Sequence, residues 1–286
     1  MHETREITFD SSTPVIVASV QTDPGCVREA NEDSGRHVSP NDAETRRSRG
    51  TLTIVADGMG GHASGEIASQ MAVDLISEFY YTADAATCTP EALSDAIRQA
   101  NAAIYETSLT DEKYYGMGTT VIALALLGDR AFAAHVGDSR LYRYRRDTGL
   151  QMLTIDHSQV MEMVRHGIIT IEQARSHDDK NVILRAVGTQ PEVEVEITGP
   201  FDVAVGDTFL LCSDGLTDMV EDQAIEAVLA EENDIHTASE RLISAARLNG
   251  GHDNITAGLV RVASETLAEA SRDVRITREI AIEEKQ

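Results

Sequence analysis

Four aspartates in this sequence share a setting that suits them for joint chemistry. Asp57 follows the apolar run 52–56 and precedes Gly58; Asp214 follows "TFLLCS" and precedes Gly215. Asp138 follows "RAFAAHV" and Gly137, and Asp253 stands just before "NITAGLVRV". One carboxylate at the end of an apolar run reads as a solvated turn residue, and four independent turns would give the same pattern. If the run ends meet at one rim, their charges conflict. Two unit charges about 4 Å apart repel by about 4 kcal/mol at an effective dielectric of 20. Such a cluster requires cations. Its donors are all oxygen, without Cys and His at zinc spacing and without the D-x-D-x-D-G calcium loop, so Mg2+ or Mn2+ is the expected ion. A glycine after Asp57 lets a backbone carbonyl face that ion with room left for waters.

Two other phosphate-binding readings fail locally. Residues 58–63, "GMGGHA", fit the loose G-x-G-x-x-A pattern, but no second strand ending in an acid follows about twenty residues on. Instead Ile67, Met71, Leu75, Ile76 and Phe79 recur at helical spacing. No Gly-Lys-Ser/Thr follows either, which excludes a Walker phosphate loop.

The elements that must carry these residues follow from pattern. Residues 15–20 and 51–56 read as strands, with the polar, turn-rich stretch 35–50 between them as a loop. Helices are expected over 65–81 and about 90–107, the second with Pro90 near its start. Strands follow at "TTVIALALL", "RAFAAHV", "RLYRYRR" and "LQMLTI", with Gly128-Asp129 as a hairpin signal. Two short helices are expected within 157–176 and a strand over 192–197. A buried strand at 208–213, helices at about 222–231 and 235–249, and a strand at 254–262 complete the series. Successive strands and paired helices without β-α alternation indicate an α+β fold.

Bulk properties narrow the function. The 286 residues suit one large domain or two small ones, and 42% hydrophobic content supplies a core. Aromatics are 4% with no Trp, which leaves few platforms for stacking bases. With 48 acidic and 24 basic residues the net charge is −24, a surface that repels nucleic acid and anionic membrane. Cys26, Cys88 and Cys212 form no metal spacing or disulfide framework, which fits a reducing cytoplasm. The polar start "MHETREITFD" lacks the pattern of a signal peptide, and "VIALALL" is too short to span a bilayer.

Eight segments now stand in one order: "GCVREANED" (25–33), "ADGMGGHASGE" (56–66), "MGTT" (117–120), "HVGDSRLY" (135–142), "TIDHSQV" (154–160), "LRAVG" (184–188), "LCSDGLTD" (211–218) and "GGHDNIT" (250–256). With them the sequence resembles the metal-dependent protein phosphatases, the protein phosphatase 2C family, in its bacterial form. The resemblance covers about 15–262 as a catalytic domain, flanked by an irregular lead-in (1–14) and a charged tail (263–286). It implies a four-layer αββα sandwich, two antiparallel sheets face to face with a helix pair outside each.

The resemblance also assigns roles. Asp57 would bridge two Mn2+ or Mg2+ ions, Asp214 and Asp253 would hold the first, and the Gly58 carbonyl with waters would hold the second. Glu32 would orient those waters and Asp33 would support the ligands from behind. Asp138, with Asp214, matches the third ion of bacterial relatives, and Arg28 matches the phosphate-binding arginine. A metal-bridged hydroxide would then attack phosphoserine or phosphothreonine in proteins, opposing a Ser/Thr kinase, in a monomeric enzyme. One departure is Met59, where several relatives carry a His proposed as general acid; a thioether cannot donate that proton, and a metal-bound water is the expected substitute. His62 nearby reads as a loop residue. Segment 156–188 matches the family's substrate-contacting flap. Two other readings stand beside this one: a pseudophosphatase that binds a partner without turnover, against which the complete ligand set argues, and a stress-response phosphatase, whose usual sensor domains find no counterpart here.

Overall fold

The run 52–56 is apolar except at Thr53, and every position is buried because its strand is covered on both faces. Leu52, Ile54 and Ala56 point into one core cluster and Val55 into another, and all are fully buried. The computed structural model of the protein describes residues 15–60, 64–84 and 86–263, so the lead-in, the tail beyond Ala263 and His62 lie outside the described residues.

In chain order the elements are β1 (Val15–Asp23), β2 (Asp33–Val38), α1 (Ala43–Arg49), β3 (Thr51–Met59), α2 (Ser64–Thr82) and α3 (Thr89–Ser108). Then come β4 (Gly118–Thr119), β5 (Val121–Leu127), β6 (Arg130–Val136), β7 (Arg140–Arg145) and β8 (Gly149–Met152). The remainder comprises α4 (Gln159–Arg165), α5 (Ile171–Arg175), β9 (Glu196–Asp202), β10 (Thr208–Cys212), α6 (Asp214–Thr217), α7 (Asp222–Glu231), α8 (Ile235–Leu248) and β11 (Ile255–Ala263). One sheet has the order β1-β11-β10-β7-β8 and the other β2-β3-β5-β6-β9, with β4 paired to β3; all pairings are antiparallel.

Three apolar layers hold this α+β sandwich together. Ala68, Ala72, Ile76 and Tyr80 of α2 recur every fourth residue and, with Leu93, Ile97 and Ile104 of α3, cover the β3-β5-β6 face. Ile225 and Leu229 of α7 and Leu242 of α8 cover the face of β10 and β11. Between the sheets lie Val55, Ile122, Leu124, Phe209, Leu211 and Val260. The layers are therefore α, β, β, α, and the pattern in the sequence located both helix pairs.

Two expectations need correction. The stretch 35–50 is not a loop: it holds most of β2 and all of α1. β2 is an edge strand paired to β3 from Asp33↔Asp57 to Val38↔Leu52, so polar Arg36 and His37 are tolerated and apolar alternation is weak. α1 has only seven residues and no apolar stripe. Its ends carry its signal: the Asp42 carboxylate accepts the Thr45 N–H at 2.7 Å, and Gly50 leaves at φ +70° against the Leu126 carbonyl. The strand expected over 192–197 begins at Glu196 and runs to Asp202. Val193 and Val195 pack on the α2/α3 core cluster, so their alternation reflects burial outside the ladder. The ladder with β6 shifts register between Ala131 and Ala133, opposite Pro200, which has no N–H to give.

Candidate active site

The antiparallel order brings one end of each central strand to the same rim. β3 leaves the core at Asp57, β6 at Gly137-Asp138 and β10 at Ser213-Asp214, while β11 enters just after Asp253 and β2 begins at Asp33. The four aspartates do not sit in independent turns. Burial, then the charges of Asp33, Asp214, Asp138 and Asp253, push the Asp57 carboxyl well above the usual carboxylate range. Burial, then Asp138, Asp218 and Asp253, do the same to Asp214. Burial and then Asp156 push Asp138 up to about 6.

Glycines allow the backbone segments to close on this rim. A Cβ on Gly58 would lie 2.1 Å from the Gly65 carbonyl oxygen and 2.4 Å from that of Glu32. The Gly58 N–H donates to the Glu32 carbonyl at 3.1 Å. A Cβ on Gly65, in the first turn of α2, would lie 2.8 Å from the Glu32 carboxyl carbon. Gly58 and Gly65 thus seat the end of β3 and the start of α2 against Glu32. The Gly65 N–H donates to that carboxylate, and burial raises its pKa.

Asp33 stands behind Asp57, directly opposite it in the β2-β3 register. Its Oδ2 accepts from Ser213 Oγ at 2.7 Å and Thr256 Oγ1 at 2.6 Å, joining β2 to β10 and β11. Its Oδ1 is buried with no hydrogen-bond partner, and burial followed by the Asp253 charge pushes the group up to about 6. Arg28 reaches the cluster by donating from Nη2 to Asp253 Oδ2 at 2.6 Å, not by pairing with Glu29 or Glu32.

The donor chemistry fits divalent cations. Carboxylates from four strand ends oppose one another's ionisation, one buried carboxylate oxygen lacks a partner, and the oxygens match the preference of Mg2+ and Mn2+.

Three further contributors, Asn254, Asp156 and His157, lie inside the sequence motifs without a local signal of their own. Asn254 accepts the Glu32 N–H at 2.8 Å and donates to the carbonyls of Ala30 at 2.9 Å and Pro24 at 3.1 Å. It thereby pins the loop that carries Arg28 and Glu32. Asp156 receives Nε and Nη2 of Arg140 at 2.7–3.1 Å, and His157 bonds to Gly137, so the start of the flap lies against Asp138. A carboxylate-arginine pair 16 residues apart leaves no periodic signal. On the far side of the flap Lys180 pairs with Asp218 at 2.6 Å, one turn beyond Asp214.

Comparison with known proteins gives a consistent result. Residues 37–247 match the family model described as Protein phosphatase 2C. The chain is 38% identical over 247 residues to the serine/threonine phosphatase stp of Listeria innocua, covering 85% of this chain and 94% of that one. Its structure superposes on serine/threonine phosphatase Stp1 from Staphylococcus aureus with a TM-score of 0.78 at 30% identity, covering 91% and 99%. A catalytic domain of the serine/threonine protein phosphatase PstP in complex with two manganese ions gives 0.73 at 34% identity, covering 88% and 100%.

Proposed function

This chain belongs to the protein phosphatase 2C family and is a protein serine/threonine phosphatase; on that premise we propose that it hydrolyses phosphoserine and phosphothreonine in proteins at the acidic rim. The observation that carries this reading is the convergence of Asp57, Asp138, Asp214 and Asp253, each raising the ionisation cost of another. Asp57 would bridge two ions, Asp214 and Asp253 would hold one, and the Gly58 carbonyl and Glu32 would serve the other. Asp138 and Asp214 would hold a third. The two manganese ions of the PstP relative support Mn2+ as the working metal. Bound divalent ions supply Lewis acidity toward phosphoryl oxygens and lower the pKa of a water.

The residues of the chain do the rest. Asp33 uses two hydroxyl donors to hold one oxygen in place, leaving the other buried without a hydrogen-bond partner among the described residues. Arg28 is half-exposed at the mouth and presents a planar fork suited to phosphate oxygens. Met59 has no proton to give, so the leaving serine or threonine oxygen takes its proton from water. Among the described residues no helix is long and apolar enough to cross a membrane. A Ser/Thr kinase as the opposing enzyme, a monomeric state and a cytoplasmic location extend the proposal on family likeness.

The test is phosphate release from a phosphothreonine peptide as Mn2+ is titrated, with chelator and Asp57→Asn as controls. Turnover that requires both Mn2+ and Asp57 is expected. Tight phosphopeptide binding without turnover would favour the pseudophosphatase reading.

A further inference from the structure

The Gly137-Asp138 exit from β6 is held by the residue that opens the flap. The His157 N–H donates to the Gly137 carbonyl at 2.9 Å, and the Gly137 N–H donates back to His157 Nδ1 at 3.1 Å. A backbone amide can only donate, so Nδ1 offers its lone pair and the proton of the neutral ring sits on Nε2. Nε2 lies 3.1 Å from Glu196 Oε2 on β9 and donates to it, with Arg185 Nη1 set beside the same nitrogen at 3.3 Å. The His157 carbonyl accepts the Leu184 N–H at 2.7 Å, which ties the far end of the flap to the same residue. Gly137 leaves β6 at φ +107°, a conformation that side chains rarely adopt, with Thr120 packed where a Cβ would stand.

The ring is clamped as well as bonded. It stacks on His135 at 4.6 Å between centroids and 11° between planes. His135 is fully buried and anchored by its Nε2–H to the Ile155 carbonyl at 2.9 Å. His135, His157 and Glu196 have the chemistry of a metal site, and their ligand atoms lie within 4.8 Å of one another. Their geometry serves another purpose. Parallel stacked rings direct their in-plane lone pairs along separate planes, and both nitrogens of His157 are engaged.

We propose that His157 is a positioning residue: through Nδ1 it fixes the Gly137 N–H, and so presents Asp138 to the third cation in register with the flap. The proposal rests on reading Asp138 as a ligand of that cation. It makes the flap and that ligand one mechanical unit, with the Glu196 contact orienting the ring.

Two substitutions separate the bonds. In His157→Asn an amide oxygen falls near the position of Nδ1 and can accept from Gly137. In His157→Gln the amide reaches toward Glu196 and leaves the Gly137 N–H without its acceptor. Calorimetric Mn2+ titration of both variants, Asp138→Asn and wild type, with melting in chelator as the folding control, reads the sites directly. Steady-state kinetics on a phosphothreonine peptide across Mn2+ concentrations accompany it. The expectation is that His157→Asn keeps the Mn2+ site lost in Asp138→Asn within about twofold, while His157→Gln weakens that site about tenfold and spares the others. Excess Mn2+ then restores kcat in His157→Gln but not in Asp138→Asn, with the peptide KM little changed in either. Equal losses in the Asn and Gln variants, or a wild-type Mn2+ profile in His157→Gln, overturn the positioning role alone. Full Mn2+ stoichiometry in Asp138→Asn overturns the reading of Asp138, and this inference with it.

Discussion

Strand β10 has a buried or half-buried aspartate just beyond each end, and the two are treated in opposite ways. Asp207, before its first residue, is 1% exposed and receives Nε and Nη2 of Arg145 at 2.6 and 2.7 Å, with the Ala204 N–H at 2.9 Å. Asp214, after its last residue, faces Asp138, Asp218, Asp253 and Asp33, and its pKa rises well above the usual range. One end of the sandwich supplies the cation from its own sequence. The other assembles anions, with Arg28 on Asp253 and Lys180 on Asp218 only at its exposed margin, and leaves the cation for Asp57 and Asp214 to be supplied from solution. A buried carboxylate with a fitted arginine contributes to architecture, whereas a set of carboxylates without one marks a site.

The largest test of this contrast is Asp57→Asn. It should lower kcat/KM on a phosphothreonine peptide by about a thousandfold, or about 4 kcal/mol, with the fold retained by circular dichroism. Activity within about tenfold of wild type would deny the rim its function.

At the opposite end, Asp207→Asn should cost about 2 kcal/mol in denaturant unfolding, because it removes the charge-assisted bonds from Arg145, whose guanidinium keeps the Asp202 carbonyl and some exposure to water. The activity of each folded molecule should be unchanged. If turnover falls in step with Asp57→Asn, the two ends are not separable.

Mn2+ sharpens the comparison from the other side. At about 100 times its dissociation constant, one site absent from the unfolded chain adds about 2.7 kcal/mol. Melting temperature should rise with Mn2+ in wild type and in Asp207→Asn, and return with chelator. It should rise less in Asp214→Asn.

Any acid titration of the two ends carries a background from His37 on β2. Burial lowers its pKa to about 4, with its Nδ1 2.8 Å from Thr53 Oγ1. The unfolded ring protonates near pH 6.5 while the folded ring stays neutral. Stability is therefore full above the unfolded pKa and is lost as pH falls toward about 4, by about 2 kcal/mol after allowance for partial exposure. His37→Gln should flatten that window in urea titrations at pH 4 to 7. An unchanged slope would place the proton uptake elsewhere.

Much of this was legible in the sequence where the physics is local. The helix pairs follow from 3.6-residue periodicity, β5 and β10 from continuous apolar runs, and β3 and β11 from largely apolar ones. The aspartates were visible because each terminates such a run, and the family resemblance gave them roles. What escaped lacks a period. β2 is polar because one of its edges is unpaired, α1 is only about two capped turns, and β9 starts at Glu196 where its ladder with β6 begins rather than where its apolar alternation does. Asn254, Asp156 and His157 act through partners 16 to 230 residues away, and nothing in a linear pattern carries such pairing.

The pairing of β1 with β11, Val15 against Ala263 through Asp23 against Ile255, has a consequence for biosynthesis. The strand made first among those described waits for the strand made last. While the ribosome is still adding the middle of the chain, β1 has no neighbour, and the loop that bears Arg28 and Glu32 has no Asn254 to fasten it. The sheet that carries Asp57 and Asp138 needs no strand later than β9, but the set of four is complete only when Asp253 and β11 have emerged. Domain closure and competence for metal arrive together, in a late step dominated by contacts of long sequence separation, the kind that slows folding.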